Sequence, residues 1–314
     1  MKPRIYISAC LLGQNVRFDS GHKKEEWIVD KLSHFFELMP ICPEVEMGLG
    51  IPREPVQLVF EDSKIKMISV KKRIDHTDLA VLTSKNLLNN FKEACGIILM
   101  KNSPSCGIER VKVYSPNETV MTNATKELQV GIFAKKTKER FPLLPIIESG
   151  RIHNLEDRKL FLRQVTAFAR FQQLKKEISH LQDFHKRYKF LLMEHDPEEM
   201  TRLGQISANS QKKSVDEVFH LYLTNFMKCL RKQTSKGKVE NSFYHLLGFF
   251  KDQLSLEDKK VIHEMITDYK NNLLPYSVPL KMIEFFIKKY QQPYLLNHYI
   301  LDPYPKSLMD EKYF

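Results

Sequence analysis

No stretch of the 314 residues approaches the roughly 18 to 20 uncharged apolar residues that a membrane-spanning helix requires, so no such span is expected. The start, MKPRIYISACLLG, is basic, but Cys10 and Gly13 cut its apolar run short and no small-residue cleavage site follows. It reads as a first strand rather than a secretion signal. Cysteine is scarce: there are five, an odd number, and none are closely spaced. That argues against a disulfide framework and for a reducing compartment, with the cytoplasm as the expected location. There is no internal repeat and no low-complexity segment. The 42% hydrophobic content suffices for two ordinary cores, so the fold needs neither disulfide nor metal for stability.

Acidic excess is also missing. The net charge is +11, with 22 basic against 18 acidic side chains in residues 1–150 and 27 against 20 in residues 151–314. A field of this sign favours polyanions, most simply a nucleic acid, although a generically basic soluble protein has the same composition.

The two halves differ in pattern. In residues 1–150, RIYISACLL, IILMK and LPIIE read as strands, while KKEEWIVDKLSHFFELM, LAVLTSKNLLNNFKEACG and ELQVGIFAKKTKERFP read as helical stretches. The alternation predicts an α/β domain, Rossmann-like, with a mostly parallel sheet. In residues 151–314 the period becomes 3.6 throughout and predicts an all-α domain, with the boundary in ESGRIHN. Ser255, followed by Glu257 and Asp258, predicts a helix N-cap.

Cys10, Cys42 and Cys106 each stand where a predicted strand gives way to a loop rich in Gly, Pro or Ser. A parallel sheet brings such loops to one edge, so three thiols can converge there. Three are too few to close a structural zinc site. They suit a metal centre with one open position, or an iron–sulfur cluster with one iron left free. A single catalytic thiol, or buried structural cysteines, remain alternatives. Cys95 and Cys229 fall in predicted helices and read as core residues.

The segments ISACLLGQNVRFDSGHK, CPEVEMGLGIPREP and SPSCG, in that order, resemble the signature segments of the thiouracil desulfurase (desulfidase) family. The second half resembles the helical domain often fused to it, through FHKRYKFLLMEHDPEEMTRLGQI, FYHLLGFFKDQLS and QPYLLNHYILDPYP. The fused arrangement is similar to bacterial desulfidases that convert 4-thiouridine in transfer RNA to uridine. The resemblance implies a [4Fe–4S] cluster held by Cys10, Cys42 and Cys106, with Glu44 and Ser103 acting on the substrate. Where the family commonly has a glycine pair after the CPE segment, this chain reads VEMGLG, so Glu46 is a second nearby carboxylate.

Arg17, Asp19 and His22 share the polar loop after Cys10, either as a structural hydrogen-bond network or in contact with substrate. In the second half Lys186, Arg187 and Lys189 interleave with His185 and Tyr188, a pattern suited to phosphate contact and base stacking. An amphipathic helix with Phe184, Tyr188 and Leu191 in the core has the same pattern. The expected function is desulfuration of 4-thiouridine in transfer RNA with release of hydrosulfide. Two alternatives are desulfuration of free thiouracil or another thionucleobase, and a non-enzymatic RNA-binding protein with structural thiols.

Overall fold

A computed structural model describes residues 2–117, 119–122, 124–126, 128–208 and 212–309. From the N-terminus run β1 (Arg4–Ser8), α1 (Glu26–Asp30), β2 (Glu37–Ile41), the single-turn α2 (Pro43–Glu46), β3 (Val56–Glu61), β4 (Lys64–Ser69), α3 (Thr77–Asn89), β5 (Ala94–Leu99), β6 (Val113–Tyr114), α4 (Ile132–Arg140) and β7 (Ile146–Glu148). Helices follow: α5 (Leu155–Gln172), α6 (Ile178–His195), α7 (Pro197–Ser207), α8 (Val215–Arg231), α9 (Lys236–Leu247), α10 (Leu256–Lys270), α11 (Ser277–Lys289) and α12 (Pro293–Leu296). The α/β region followed by a helical region is the expected fold class.

The main sheet has the order β2-β1-β5-β7, and each neighbouring pair is parallel. All six residues of β5 are buried, as a central parallel strand covered on both faces requires. The chain starts at β1, steps to β2 on one side and then crosses to β5 on the other. The carboxyl ends of β1 and β5 therefore meet at the switch point where open α/β sheets take their ligands. A smaller sheet, β4-β3-β6, contains an antiparallel hairpin. Its two turn residues, Asp62 and Ser63, have φ of 52° and 61°, the backbone that a tight two-residue hairpin turn demands.

The helical stretch expected over residues 23–39 is shorter. Helix ends at Asp30, and Glu37–Ile41 forms the edge strand β2. The stretch expected to stay helical to Gly96 ends at Asn89, so Cys95 lies inside β5, fully buried, with its thiol donating to the Arg4 carbonyl at 3.0 Å. In the stretch 127–142 the helix spans Ile132–Arg140, and Glu127 lies outside the described residues.

The chain packs as two compact units, Met1–Ala169 with Pro305–Phe314, and Arg170–Tyr304. The first takes most of α5, because that helix lies directly on the sheet. A Cβ added to Gly96 in β5 would stand 2.7 Å from Val165 Cγ2 and 3.4 Å from Phe161. In the second unit Ser255 caps α10 by accepting the Asp258 N–H at 3.0 Å, as expected. Ser214 and Glu217 form a reciprocal capping box at the start of α8. A core of Phe190, Phe243, Phe250, Phe286 and aliphatic neighbours fills the space between α6 and α9–α11.

Gly96→Ala is expected to destabilise the first unit by about 1–3 kcal/mol, because Val165 is itself fully buried and has little room to yield. A thermal unfolding midpoint equal to that of the unaltered chain would show that α5 does not sit on β5 as described.

Candidate active site

Cys10, Cys42 and Cys106 line one cavity of about 280 Å³, together with Glu44, Ser103, Arg17, Arg53, Lys23, Lys101, Phe18 and Ser8. The cavity lies at the carboxyl edge of the parallel sheet. Cys10 sits in a 3-10 turn, Ala9–Leu12, directly after β1, closed by Gly13 in the left-handed region at φ 86°. Cys42 immediately follows β2 and precedes α2. Both are brought to the edge simply by where their strands end.

Cys106 comes seven residues after β5 and needs a built loop. Ser103 Oγ accepts the N–H groups of Ser105 and Cys106, at 3.2 and 3.1 Å, and the Gly107 N–H returns to the Ser103 carbonyl at 2.8 Å. The Pro104 and Ser105 carbonyls accept N–H groups of Ile132 and Ala134, so this loop satisfies first-turn donors of α4 that have no partner within the helix. Beyond it, the buried carboxylate of Glu148 accepts the N–H groups of Ile108 and Glu109. The approach of α4 is so close that a Cβ on Gly131 would lie 2.5 Å from the Ser105 carbonyl group.

Burial pushes all three thiols up. Cys10 is raised to about 11, first by desolvation and then by the neighbouring Cys42, with Arg17 pulling the other way. Cys42 is raised by desolvation against the Val45 N–H and the Arg53 cation. Cys106, the most deeply buried, is raised by desolvation against a hydrogen bond from Ser8. Each thiol thus has a group beside it that favours the thiolate: Arg17, Arg53 or the Ser8 hydroxyl. Among the described residues no three His, Cys, Asp or Glu side chains gather closely enough to hold a single metal ion. Cys95 and Cys229 lie outside the cavity; Cys229 is fully buried in α8 and raised to about 12 by desolvation.

Glu44 faces the cavity in a fixed setting. Its Oε2 accepts Arg53 Nε at 3.0 Å and Nη2 at 2.5 Å, and its Oε1 accepts the Ser105 hydroxyl at 2.9 Å. Glu46 is exposed and does not line the cavity. Of the loop residues after Cys10, Arg17 reaches the cavity, while Asp19 pairs with Arg17 at 3.4 Å and accepts the Gly21 N–H. His22 Nδ1 accepts the Lys24 N–H, a local turn contact. Arg53, Ser105 and Ser8 were not singled out in the sequence, although each lies inside or beside the signature segments; nothing in a single sequence marks them as partners of Glu44 or Cys106.

In the second unit Phe184, Tyr188 and Leu191 are buried, so Tyr188 is core and offers no face for stacking. Lys186 is exposed, 4.6 Å above the Tyr294 ring, and Lys189 is half-buried. Arg187 pairs with Asp183 at 3.1 Å and donates to the Tyr299 hydroxyl at 3.1 Å.

Residues 5–149 match the family model of 2-thiouracil desulfurase, and residues 189–305 match that of a protein of unknown function, DUF1722. The uncharacterized protein YbbK of Bacillus subtilis (strain 168) is 32% identical over 110 residues, which cover 33% of this chain and 72% of YbbK. The uncharacterized protein YbgA of Escherichia coli (strain K12) is 22% identical over 129 residues, 41% of this chain and 76% of YbgA. Among solved structures, the [4Fe-4S]-dependent thiouracil desulfidase TudS is 24% identical with a TM-score of 0.37, covering 48% of this chain and 93% of that chain. The family model that matches residues 5–149 is that of an enzyme, a desulfurase of 2-thiouracil. The chain belongs to the 2-thiouracil desulfurase family, with a DUF1722 segment following the desulfurase segment.

Gly131→Ala is expected to displace the 103–107 loop. Its thermal midpoint should fall, and Cys106 in the metal-free chain should be alkylated by iodoacetamide several-fold faster. Unchanged labelling of Cys106 would mean that α4 does not hold this loop in place.

Proposed function

We propose that the chain is a desulfidase that converts 4-thiouridine in transfer RNA to uridine, using a [4Fe–4S] cluster bound by Cys10, Cys42 and Cys106, in a reducing cytoplasm. The observation that carries this reading is the meeting of three thiols from three separate loops in one cavity that also presents a carboxylate and a hydroxyl.

The residues fit the cluster. The donors are soft, they stand around a cavity rather than on one short motif, and cations of Arg17, Arg53, Lys23 and Lys101 compensate thiolate charge. Among the described residues the cavity's one carboxylate is Glu44, which is already engaged by Arg53 and Ser105 and does not compete as a ligand. When bound, the cluster would supply a soft, electron-withdrawing iron suited to a thiocarbonyl sulfur.

The protein's own groups supply the rest. Glu44 takes a proton from the attacking water at Oε1, since Arg53 occupies Oε2. Ser103 Oγ accepts two backbone N–H groups, which leaves its own proton to donate to the substrate as the tetrahedral centre collapses. The exposed Lys23 and Lys101 at the rim suit an anionic substrate. Thiocarbonyl and water give carbonyl and hydrosulfide with no net oxidation, so no electron donor enters.

A base inside folded RNA is stacked, and bringing it into such a cavity costs a few kcal/mol. Contacts to phosphates by the helical unit would offset this. Lys186 and Lys189 are the side chains for that task, because Arg187 is committed to Asp183 and Tyr299.

After anaerobic reconstitution with iron and sulfide, Cys10→Ala, Cys42→Ala and Cys106→Ala should each lose bound iron, whereas Cys95→Ala and Cys229→Ala should retain it. Full iron content in any of the first three removes that cysteine from the site.

The reconstituted chain should abolish the thiocarbonyl absorbance of thiolated transfer RNA. Lys186→Glu with Lys189→Glu should weaken RNA binding and flatten the slope of log K against log salt by about 0.7–0.9 per lost contact, with iron content unchanged. Equal turnover of transfer RNA by this variant and the unaltered chain would exclude the helical unit as the RNA holder.

A further inference from the structure

We propose that Arg53 is a positioning residue for the reaction: it fixes the orientation of the Glu44 carboxylate at the cavity wall. The inference rests on the desulfidase reading above.

The side chain of Arg53 is only 4% exposed and that of Glu44 15%. A guanidinium so deeply placed is retained only if its donors are met. Nε and Nη2 both go to Glu44 Oε2. Nη1 donates to the Val16 carbonyl at 2.9 Å and to the Gly50 carbonyl at 3.2 Å. The Arg53 backbone N–H donates to the Phe18 carbonyl at 3.0 Å. Val16 and Phe18 belong to the loop after Cys10, while Glu44 and Gly50 belong to the loop after Cys42. Ser105, next to Cys106, completes the chain by donating to Glu44 Oε1. One cation therefore touches two ligand loops directly and the third through Glu44 and Ser105.

The consequence is orientation. With Oε2 held by two N–H donors, the carboxylate cannot rotate, and Oε1 stays beside Ser105 at the cavity wall. Lysine cannot reproduce this. Its ammonium is a point charge that cannot meet one carboxylate oxygen and two carbonyls in a fixed plane. A residue that only stapled loops would alter folding and iron uptake together. One that positions Glu44 alters turnover through Glu44 and leaves loading intact.

The test uses the full chain as Arg53→Lys, Glu44→Gln and the double variant, each reconstituted anaerobically with iron and sulfide. Iron and sulfide per chain, kcat and KM on thiolated transfer RNA, and the unfolding midpoint of the metal-free chain are measured. Arg53→Lys should keep its iron and its KM while kcat falls by about 10- to 10²-fold, the scale of a misplacement of order 1 Å. The double variant should lose no more kcat than Glu44→Gln alone. Losses of kcat that multiply in the double variant, or iron loss that accounts for the whole defect, would overturn the proposal. If the fully loaded, unaltered chain turns over no thiocarbonyl base, the desulfidase reading fails separately. The unfolding midpoints then decide on Arg53: a double variant no less stable than the worse single variant upholds the coupling, and additive losses overturn it.

Discussion

Parallel pairing of β1 with β2 and with β5 is the constraint on which the site depends. The register sets Ser8 opposite Ile41 and Ile7 opposite Ile98, so the strands reach the same edge within a residue or two. Cys10 and Cys42 then arrive together with no further instruction. An antiparallel partner would have sent one of them to the opposite edge. The third thiol lacks this advantage. Its loop is held by Ser103 from within, by the first turn of α4 from one side and by Glu148 beyond Cys106.

The Arg53–Glu44 pair has to be understood in the same terms. Withdrawing two charges from water costs several kcal/mol per ion in effective terms, and the mutual attraction repays this only with good geometry and further hydrogen bonds. Such a pair is therefore a poor source of stability. Its value is directional, since a carboxylate with both oxygens engaged has one orientation. The buried thiols beside it are held neutral by desolvation in the metal-free chain, with Arg17, Arg53 and Ser8 opposing that effect one thiol each. The cavity is thus set up to receive a group that takes thiolates, without being destabilised by free thiolate charge when that group is absent.

The sequence made the positions of Cys10 and Cys106 legible because a strand that stops at a Gly-, Pro- or Ser-rich turn is a local signal. It did not make β2 legible. ELMPI contains Pro40, which a central strand excludes, and it follows Trp27, Ile28 and Leu32 at helical spacing; only its place at the sheet edge allows the proline. The sequence makes Cys95 look helical because residues 90–93 carry no Gly or Pro. The helix stops at Asn89, and Glu93, in the left-handed region at φ 54°, leads the chain into β5. The hairpin at Asp62 and Ser63 uses the same backbone without Gly or Asn, so its turn is weakly marked. Arg53 was invisible for a different reason. Its role is a relation among residues 16, 18, 44, 50 and 105, and a relation of that kind exists only once the loops are folded.

The burial of Tyr188 bears on how the proposed RNA reading divides the work. With that ring in the core, the exposed chemistry of α6 is cationic rather than aromatic, and cations meet phosphates without regard to sequence. On the proposed reading such contacts would raise affinity for any transfer RNA and would distinguish none. Discrimination for a thiolated base would then arise in the cavity, where a soft sulfur differs from a hard oxygen toward the soft metal chemistry that Cys10, Cys42 and Cys106 would hold. On this division the helical unit sets how often a base is presented, and the α/β unit sets which base reacts. An oxygen-bearing uridine would be bound and released, because Glu44 and Ser103 can hold it no differently but nothing activates its carbonyl carbon to the same degree.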